Sequence, residues 1–408
     1  MAVDITFLRH GETTGNIAGV WQGSTDAALT PRGRDQAKRV AERLADRSFD
    51  LIVSSGMQRT DGTVGMLTDR FEVDPGFAEI RLGEWEGLTP AEVEERYPGD
   101  VAALRRGERV RPVGGESIDE FVGRIVAAFE ALVDRLDDGA QVLVSTHGGV
   151  IQNLMAHVLG IRPGFRSMGI VANTSLSRIS IDEVPRMVTY NDATHLVDGS
   201  HEHPHHGHEP HVVLIRHGES EANIEGRWQG RRESPLSDEG TRQAGRLAHV
   251  LPPVDAIFTS PLQRARTTAE TIAAVRDVAV VVVDDLVEMD FGRWEDRTRD
   301  EVRREDPVGY RAVYIDGVDA PRGGSGETFG EAAARIGATV ADIARRARRP
   351  AVVGHGGAFR AYAADLVGLP FARRDAMALM RNTAMSTVRF GDAGPVLAGY
   401  NVAPHLEG

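Results

Sequence analysis

Two short stretches set a guanidinium directly beside an imidazole. They are Leu8-Arg9-His10-Gly11-Glu12-Thr13 and Ile215-Arg216-His217-Gly218-Glu219-Ser220, and their histidines lie 207 residues apart. An imidazole can attack phosphorus, and an arginine can grip phosphoryl oxygens in a bidentate fork. Each stretch follows a short apolar run, Val3 to Leu8 or His211 to Ile215. That pattern predicts a strand ending on the Arg-His pair, and in an open α/β sheet ligands bind at such a tip.

A second imidazole follows in each half. Thr146-His147-Gly148-Gly149 and Gly354-His355-Gly356-Gly357 place their histidines 208 residues apart. A second guanidinium is offered by Arg59 after the strand-like Leu51 to Ser54, and by Arg264 after Ala256 to Thr259. If these strands are parallel and adjacent, two arginines and two histidines meet at one end of each sheet. Such a cluster suits a dianion and the charge that spreads over equatorial oxygens in phosphoryl transfer. The attacking nitrogen must be unprotonated while the other ring nitrogen donates to a fixed acceptor. Nearby arginines help by disfavouring imidazolium. The leaving oxygen needs a proton, and a carboxyl beside a bound dianion is a suitable donor. Glu79 and Glu288 are the candidates, each four residues before the glycine of Gly83-Glu84-Trp85-Glu86 or Gly292-Arg293-Trp294-Glu295. The tryptophan segments themselves read as packing. Gly115-Glu116-Ser117 and Gly326-Glu327-Thr328 read as helix caps. One Arg-His-Gly would be a weak signal; two complete sets are not a chance pattern.

A period near 200 residues is that of a whole domain. The expected division is domain 1 at 1–195, a histidine-rich linker at 196–210 and domain 2 at 211–408. Around the join, His201 to His211 holds six of the chain's fourteen histidines. No spacing there suggests one fixed metal geometry, so a polar Pro/Gly linker is preferred over a metal tract. Thr30-Pro31 predicts a helix start before Arg34 to Asp46, and Ser117 to Glu120 a capping box for a helix reaching Leu136. Ser237 and Thr328 to Glu331 play those parts in the second half, and Val142 to Ser145 and Ala351 to Val353 are further buried strands. Short strands alternating with amphipathic helices predict an α/β fold with a mostly parallel central sheet in each domain.

The 408 residues carry a formal net charge of -13, which argues against nucleic acid and anionic membranes as partners. Lys38 is the only lysine, and there is no cysteine, so disulfides and thiolate chemistry are excluded. No apolar run approaches the roughly 20 residues that cross a bilayer. With no signal-like start, a cytoplasmic location is expected.

The Arg-His-Gly-Glu, Ser-Pro-Leu-x-Arg-Ala (Ser260 to Ala265) and His-Gly-Gly motifs resemble the histidine phosphatase, or phosphoglycerate-mutase-like, superfamily over both halves. The resemblance implies two tandem three-layer α/β/α domains and a phosphohistidine intermediate, with no cofactor and no metal. By position, His10 and His217 would be phosphorylated, and Glu79 and Glu288 would be the acid. Arg9, Arg59, His147 and Arg216, Arg264, His355 would hold phosphate. Asn16, Gln22, Asn223 and Gln229 resemble accessory phosphate contacts. Neither half carries the insertion that marks the mutases, so hydrolysis of small phosphomonoesters in both domains is favoured. The alternatives are a catalytic domain with a phospho-ligand-binding regulatory one, or a phosphomutase. An intramolecular pseudo-dimer and a homodimer both stay open. Ser55 to Thr63 keeps Arg59 but lacks the proline and alanine, leaving local geometry in domain 1 open. Ser24-Thr25-Asp26 against Arg231-Arg232-Glu233 predicts different leaving groups, with the arginines suggesting a more anionic substrate or simply an exposed basic loop.

Overall fold

The computed structural model describes residues 2–106, 108–162, 168–197 and 210–407. The histidine tract 201–209 lies outside them, as does the question of its metal binding. The described chain forms two compact units: 2–162, 170–187 and 191–197 in the first, and 168–169, 188–190 and 210–407 in the second.

The strands of the first unit are β1 (Val3–Arg9), β2 (Leu51–Ser54), β3 (Glu72–Val73), β4 (Gln141–Thr146), β5 (Leu176–Ile181) and β6 (Pro185–Asp192). Their order is β3-β2-β4-β1-β5-β6. From β3 to β1 the pairings are parallel, and β5 runs antiparallel to β1. Arg9 stands in register with Thr146, and Ser54 with Ser145. Three strand tips therefore end side by side.

Side chains alternate across a strand, and β1 uses both faces. Leu8 joins Val40, Leu44, Val64 and Leu143 in a core under the helices Pro31–Leu44 and Gln58–Val64. Phe7 turns the other way, its ring 6.5 Å from Phe77 and 6.4 Å from Phe129 on the helix Ile118–Val133. The result is the three-layer arrangement that the resemblance implied.

The second unit repeats it with β7 (His211–Arg216), β8 (Arg227–Trp228), β9 (Ala256–Thr259), β10 (Val280–Val282), β11 (Arg297–Thr298), β12 (Pro350–Gly354), β13 (Met385–Gly391) and β14 (Gly394–Val402). The main order is β10-β9-β12-β7-β13-β14, and β8 pairs with β11 separately. Here Arg216 faces Gly354 and Val353 faces Thr259. Val213 and Ile215 meet the helices Asp238–Val250 and Gln263–Arg276, while Phe329–Arg346 and Gly356–Leu366 cover the other face.

The helix starts follow the expected caps. Thr30, Ser117, Ser237 and Thr328 each accept a backbone N–H from the first turn, which satisfies a donor that the helix leaves unpaired. The ends fall short of expectation, at Leu44 and Val133. Polar residues follow there without a strong stop signal, and helix ends are set by packing as much as by sequence.

One close approach fixes the loop that carries His10. A Cβ on Gly33 would stand inside van der Waals contact of the Glu12 carbonyl oxygen, and one on Gly11 would meet the Gly33 carbonyl. Gly218 and Gly240 repeat this pairing. We therefore expect Gly33→Ala to destabilise the protein by about 1–3 kcal/mol, the usual cost of overpacking, read as a lower denaturation midpoint. An unchanged midpoint would mean the loop can yield.

Candidate active site

In the first unit Arg9, His10, Asn16, Gln22, Arg59 and Glu79 line one cavity of about 340 Å³. His147 lies behind it, its ring centroid 5.3 Å from that of His10. All seven residues predicted for this half are thus brought together.

Their positions follow from the elements that carry them. His10 leaves the tip of β1 and is 4% exposed. Its Nδ1 lies 2.8 Å from the carbonyl oxygen of Gly11. A carbonyl can only accept, so Nδ1 carries the proton and Nε2 keeps its lone pair. Arg59, on the first turn of Gln58–Val64, donates to the carbonyls of Thr25 and Gly23 at 2.8 Å each, and its Nε donates to His147 Nδ1 at 3.2 Å. The opposite ring nitrogen of His147 meets Ser55 Oγ at 2.9 Å. Arg9 donates to the Val171 carbonyl. Glu79 accepts from the N–H of Gly149, in the first turn of Gly148–Leu159, and from that of Ile80, both at 3.0 Å.

The second unit repeats most of these contacts. His217 Nδ1 is 2.6 Å from the Gly218 carbonyl, and its ring is 5.3 Å from that of His355. Arg264 donates to the carbonyls of Arg232 and Gly230 at 2.8 Å each. Arg216 donates to Met380, and His355 Nε2 meets Ser260 Oγ. Glu288 accepts from Gly357, Ala358 and Met289. The substitutions around Arg59 have not displaced it. Thr60, which stands in place of Ala265, joins a hydroxyl network with Ser54 and Ser55, and its oxygen accepts the N–H of Met57.

In the second unit the buried Arg216 Nε, Arg264 Nε and His355 Nδ1 have no hydrogen-bond partner. A buried donor without a partner is costly, and Arg216 Nε and Arg264 Nε are two such donors. Asn16 and Asn223 place their amide oxygens in a capping box, where each accepts a backbone N–H. Gln22 accepts from Thr13 through Oε1, whereas Gln229 donates to Ser220 through Nε2 and leaves Oε1 unpartnered.

Some residues at the site escaped the sequence reading. Ser55 and Ser260 hold the second histidines. Thr63 and Thr268 accept the N–H of Gly11 and Gly218 while donating to the carbonyls of Arg59 and Arg264. Asn173 and Asn382 donate to the carbonyls of His10 and His217. Their one sequence signal is the dipeptide Asn-Thr, repeated 209 residues on. Trp85 and Trp294 are core residues, as expected, at 3% and 2% exposure. Arg231 pairs with Glu327 at 3.3 Å and Asp290 at 3.7 Å, so the basic loop is largely neutralised.

Burial, then the adjacent guanidiniums, push His10 and His217 well below the usual imidazole range, against a smaller upward pull from the glycine carbonyl. His147 and His355 are lowered by burial, the neighbouring histidine and the same arginines. Burial also lowers Arg216 to about 10, opposed by Glu288. Among the described residues, no group of three or more histidines or carboxylates could hold a metal, and no helix is long and apolar enough to cross a membrane.

Sequence comparison decides the family. The profile of the histidine phosphatase superfamily (branch 1) matches residues 5–193 and again 212–403. The chain belongs to that superfamily. Among curated relatives it is similar to the glucosyl-3-phosphoglycerate phosphatase of Mycolicibacterium vanbaalenii, 38% identical over 38% of this chain and 74% of that one. It is also similar to phosphoglycerate mutase-like protein 4 of Arabidopsis thaliana, 32% identical over 47% and 86%. A solved phosphoserine phosphatase from Entamoeba histolytica, in complex with 3-phosphoglyceric acid, is 28% identical over 48% and 98%, with a TM-score of 0.44. The chain is a histidine phosphatase, a phosphoric monoester hydrolase.

The histidines set an acid limit on stability. Their folded pKa values lie below the unfolded value of about 6.5, as do those of His195, lowered by burial to about 3, and His405, lowered by burial to about 4. Below pH 6.5 the unfolded chain binds protons that the folded one does not, so stability is full above that pH and falls as the pH drops. Each such histidine contributes a slope of up to about 1.4 kcal/mol per pH unit. Urea unfolding should show a clear loss between pH 7.5 and 5.5, above the main carboxylate range. Stability that held level or rose over this interval would contradict the buried neutral imidazoles.

Proposed function

We propose that each unit hydrolyses small phosphomonoesters through its own phosphohistidine, on His10 and on His217. The supporting observation is the Nδ1 contact to the following glycine carbonyl, made in both units inside the paired guanidiniums. It aims an unprotonated Nε2 at the space between the arginines.

In the first step Nε2 of His10 forms a bond to phosphorus as the ester P–O bond breaks. Glu79 gives its proton to the departing oxygen. Arg9, Arg59 and His147, with the amides of Asn16 and Gln22, hold the three other phosphoryl oxygens, whose charge they offset in the transition state. In the second step Glu79 takes a proton from water, the water oxygen attacks phosphorus, and the P–N bond breaks. Phosphate leaves, and the imidazole and carboxyl return to their starting states. His217, Glu288, Arg216, Arg264, His355 and Asn223 take the same parts in the second unit; Gln229 would first have to turn its amide, since its Nε2 donates to Ser220 and its Oε1 is left open. Nothing in this sequence calls on a metal.

The mycobacterial relative's name puts glucosyl-3-phosphoglycerate first in a substrate panel, beside other sugar phosphates and p-nitrophenyl phosphate as a generic ester. His10→Ala and His217→Ala should each leave the other unit's turnover intact, and the double variant should lose about 10³-fold or more, the scale of losing a nucleophile. If either single change removes all activity, only one unit is an enzyme and the other is a binding domain. A phosphate-shifted isomer in place of free phosphate would indicate mutase chemistry.

A further inference from the structure

Each unit holds a strained residue beside its nucleophile. Thr174 has φ +55° and Thr383 φ +57°, a left-handed conformation that β-branched residues adopt only under constraint. In both cases the residue before it is an asparagine whose side chain reaches into the site. Asn173 Nδ2 donates to the main-chain carbonyl of His10 at 3.0 Å and to Asn16 Oδ1 at 3.3 Å. Asn382 Nδ2 does the same to His217 at 3.0 Å and Asn223 Oδ1 at 3.2 Å. The strained backbone is locked from behind. The Thr174 hydroxyl meets His195 Nε2 at 3.0 Å, and that of Thr383 meets His405 Nε2 at 2.8 Å.

This geometry settles which way the phosphate-facing amide points. Asn16 Oδ1 already accepts from the Thr13 N–H at 3.1 Å. A second donor on the same oxygen makes the flipped amide doubly unfavourable, because its NH2 would then face two N–H groups. We propose that Asn173 and Asn382 are positioning residues for the phosphatase reaction. Each fixes the neighbouring Asn16 or Asn223 amide with its NH2 toward the phosphoryl oxygens, and anchors the carbonyl of the nucleophilic histidine. The proposal rests on the reading that these amides contact phosphate. The side-chain NH2 groups of Asn173 and Asn382 donate to the two groups that they hold.

The test uses the full chain carrying His217→Ala with Arg216→Ala and Arg264→Ala, which removes the second unit's nucleophile and its guanidiniums, so that the first unit alone is read. Two quantities are measured: inorganic phosphate affinity by calorimetry and kcat/KM on p-nitrophenyl phosphate. Asn173→Asp keeps the shape but removes both donors, and should weaken phosphate binding about 10-fold, the scale of a lost charge-assisted hydrogen-bond arrangement. Asn173→Ala should act in the same direction. Asn16→Ala combined with Asn173→Ala should cost no more than the larger single change, because one acts through the other. A role in packing alone predicts additive losses, and additivity would overturn the proposal. So would an Asn173→Asp protein that binds phosphate as its parent does. If Asn173→Asp does not fold, Asn382→Asp in the chain carrying His10→Ala, Arg9→Ala and Arg59→Ala decides the same point. Turnover by the parent tests the phosphatase reading itself, while phosphate affinity judges Asn173 whether or not the parent turns over.

Discussion

A nucleophilic imidazole packed between two guanidiniums must stay neutral and must not rotate. Burial and the charges of Arg9 and Arg59 enforce the first condition on His10. The Gly11 carbonyl enforces the second by accepting from Nδ1. That carbonyl can turn back only because residue 11 has no side chain, since the Gly33 carbonyl occupies the space a Cβ would need. Gly33 in turn opens the helix Pro31–Leu44, capped by Thr30, whose hydroxyl also donates to Glu12 at 2.8 Å. The five-residue motif is thus divided in its work. Arginine and histidine line the cavity, while glycine, glutamate and threonine hold the loop that aims them.

The two halves show which parts of this arrangement tolerate change. Arg59 sits on a helix of 7 residues and Arg264 on one of 14. Each nevertheless donates at 2.8 Å to two loop carbonyls, of residues 25 and 23 or 232 and 230. Those acceptors are main-chain atoms, so the side chains at 24–26 and 231–233 can differ without moving the guanidinium. Asp26 and Glu233 still share one task, accepting the N–H of Gln58 or Gln263 at the helix start. The divergent loop is therefore free to change what lies outside the phosphate pocket.

Much of this was legible in the chain because it is local. An apolar run ending on Arg-His is a strand tip, Thr-Pro is a helix start, and a doubled set of such signals gives the repeat. The parts that were not legible are polar contacts across long separations. Asn173 meets His10 across 163 residues, and Thr63 meets Gly11 across 52. A lone asparagine or threonine looks the same on a surface as in a site. Only partners brought close by folding separate the two cases. Helix ends were misjudged for a related reason, since at Leu44 and Val133 no glycine or proline marks the stop.

The unpartnered donors of the second unit say how the pocket is prepared. Leaving a buried donor unmet costs about 1–3 kcal/mol, and Arg264 Nε and Arg216 Nε both stand in that state. A flexible arginine would avoid the cost by swinging toward water. Arg264 cannot, because its two terminal nitrogens are tied to the carbonyls of Arg232 and Gly230. Arg216 is tied to Met380, and His355 to Ser260. Each group is held by one edge. On the proposed reading, an arriving phosphoryl group would supply acceptors to side chains already fixed in place, and a polar pocket fixed in advance can lower a barrier instead of merely binding.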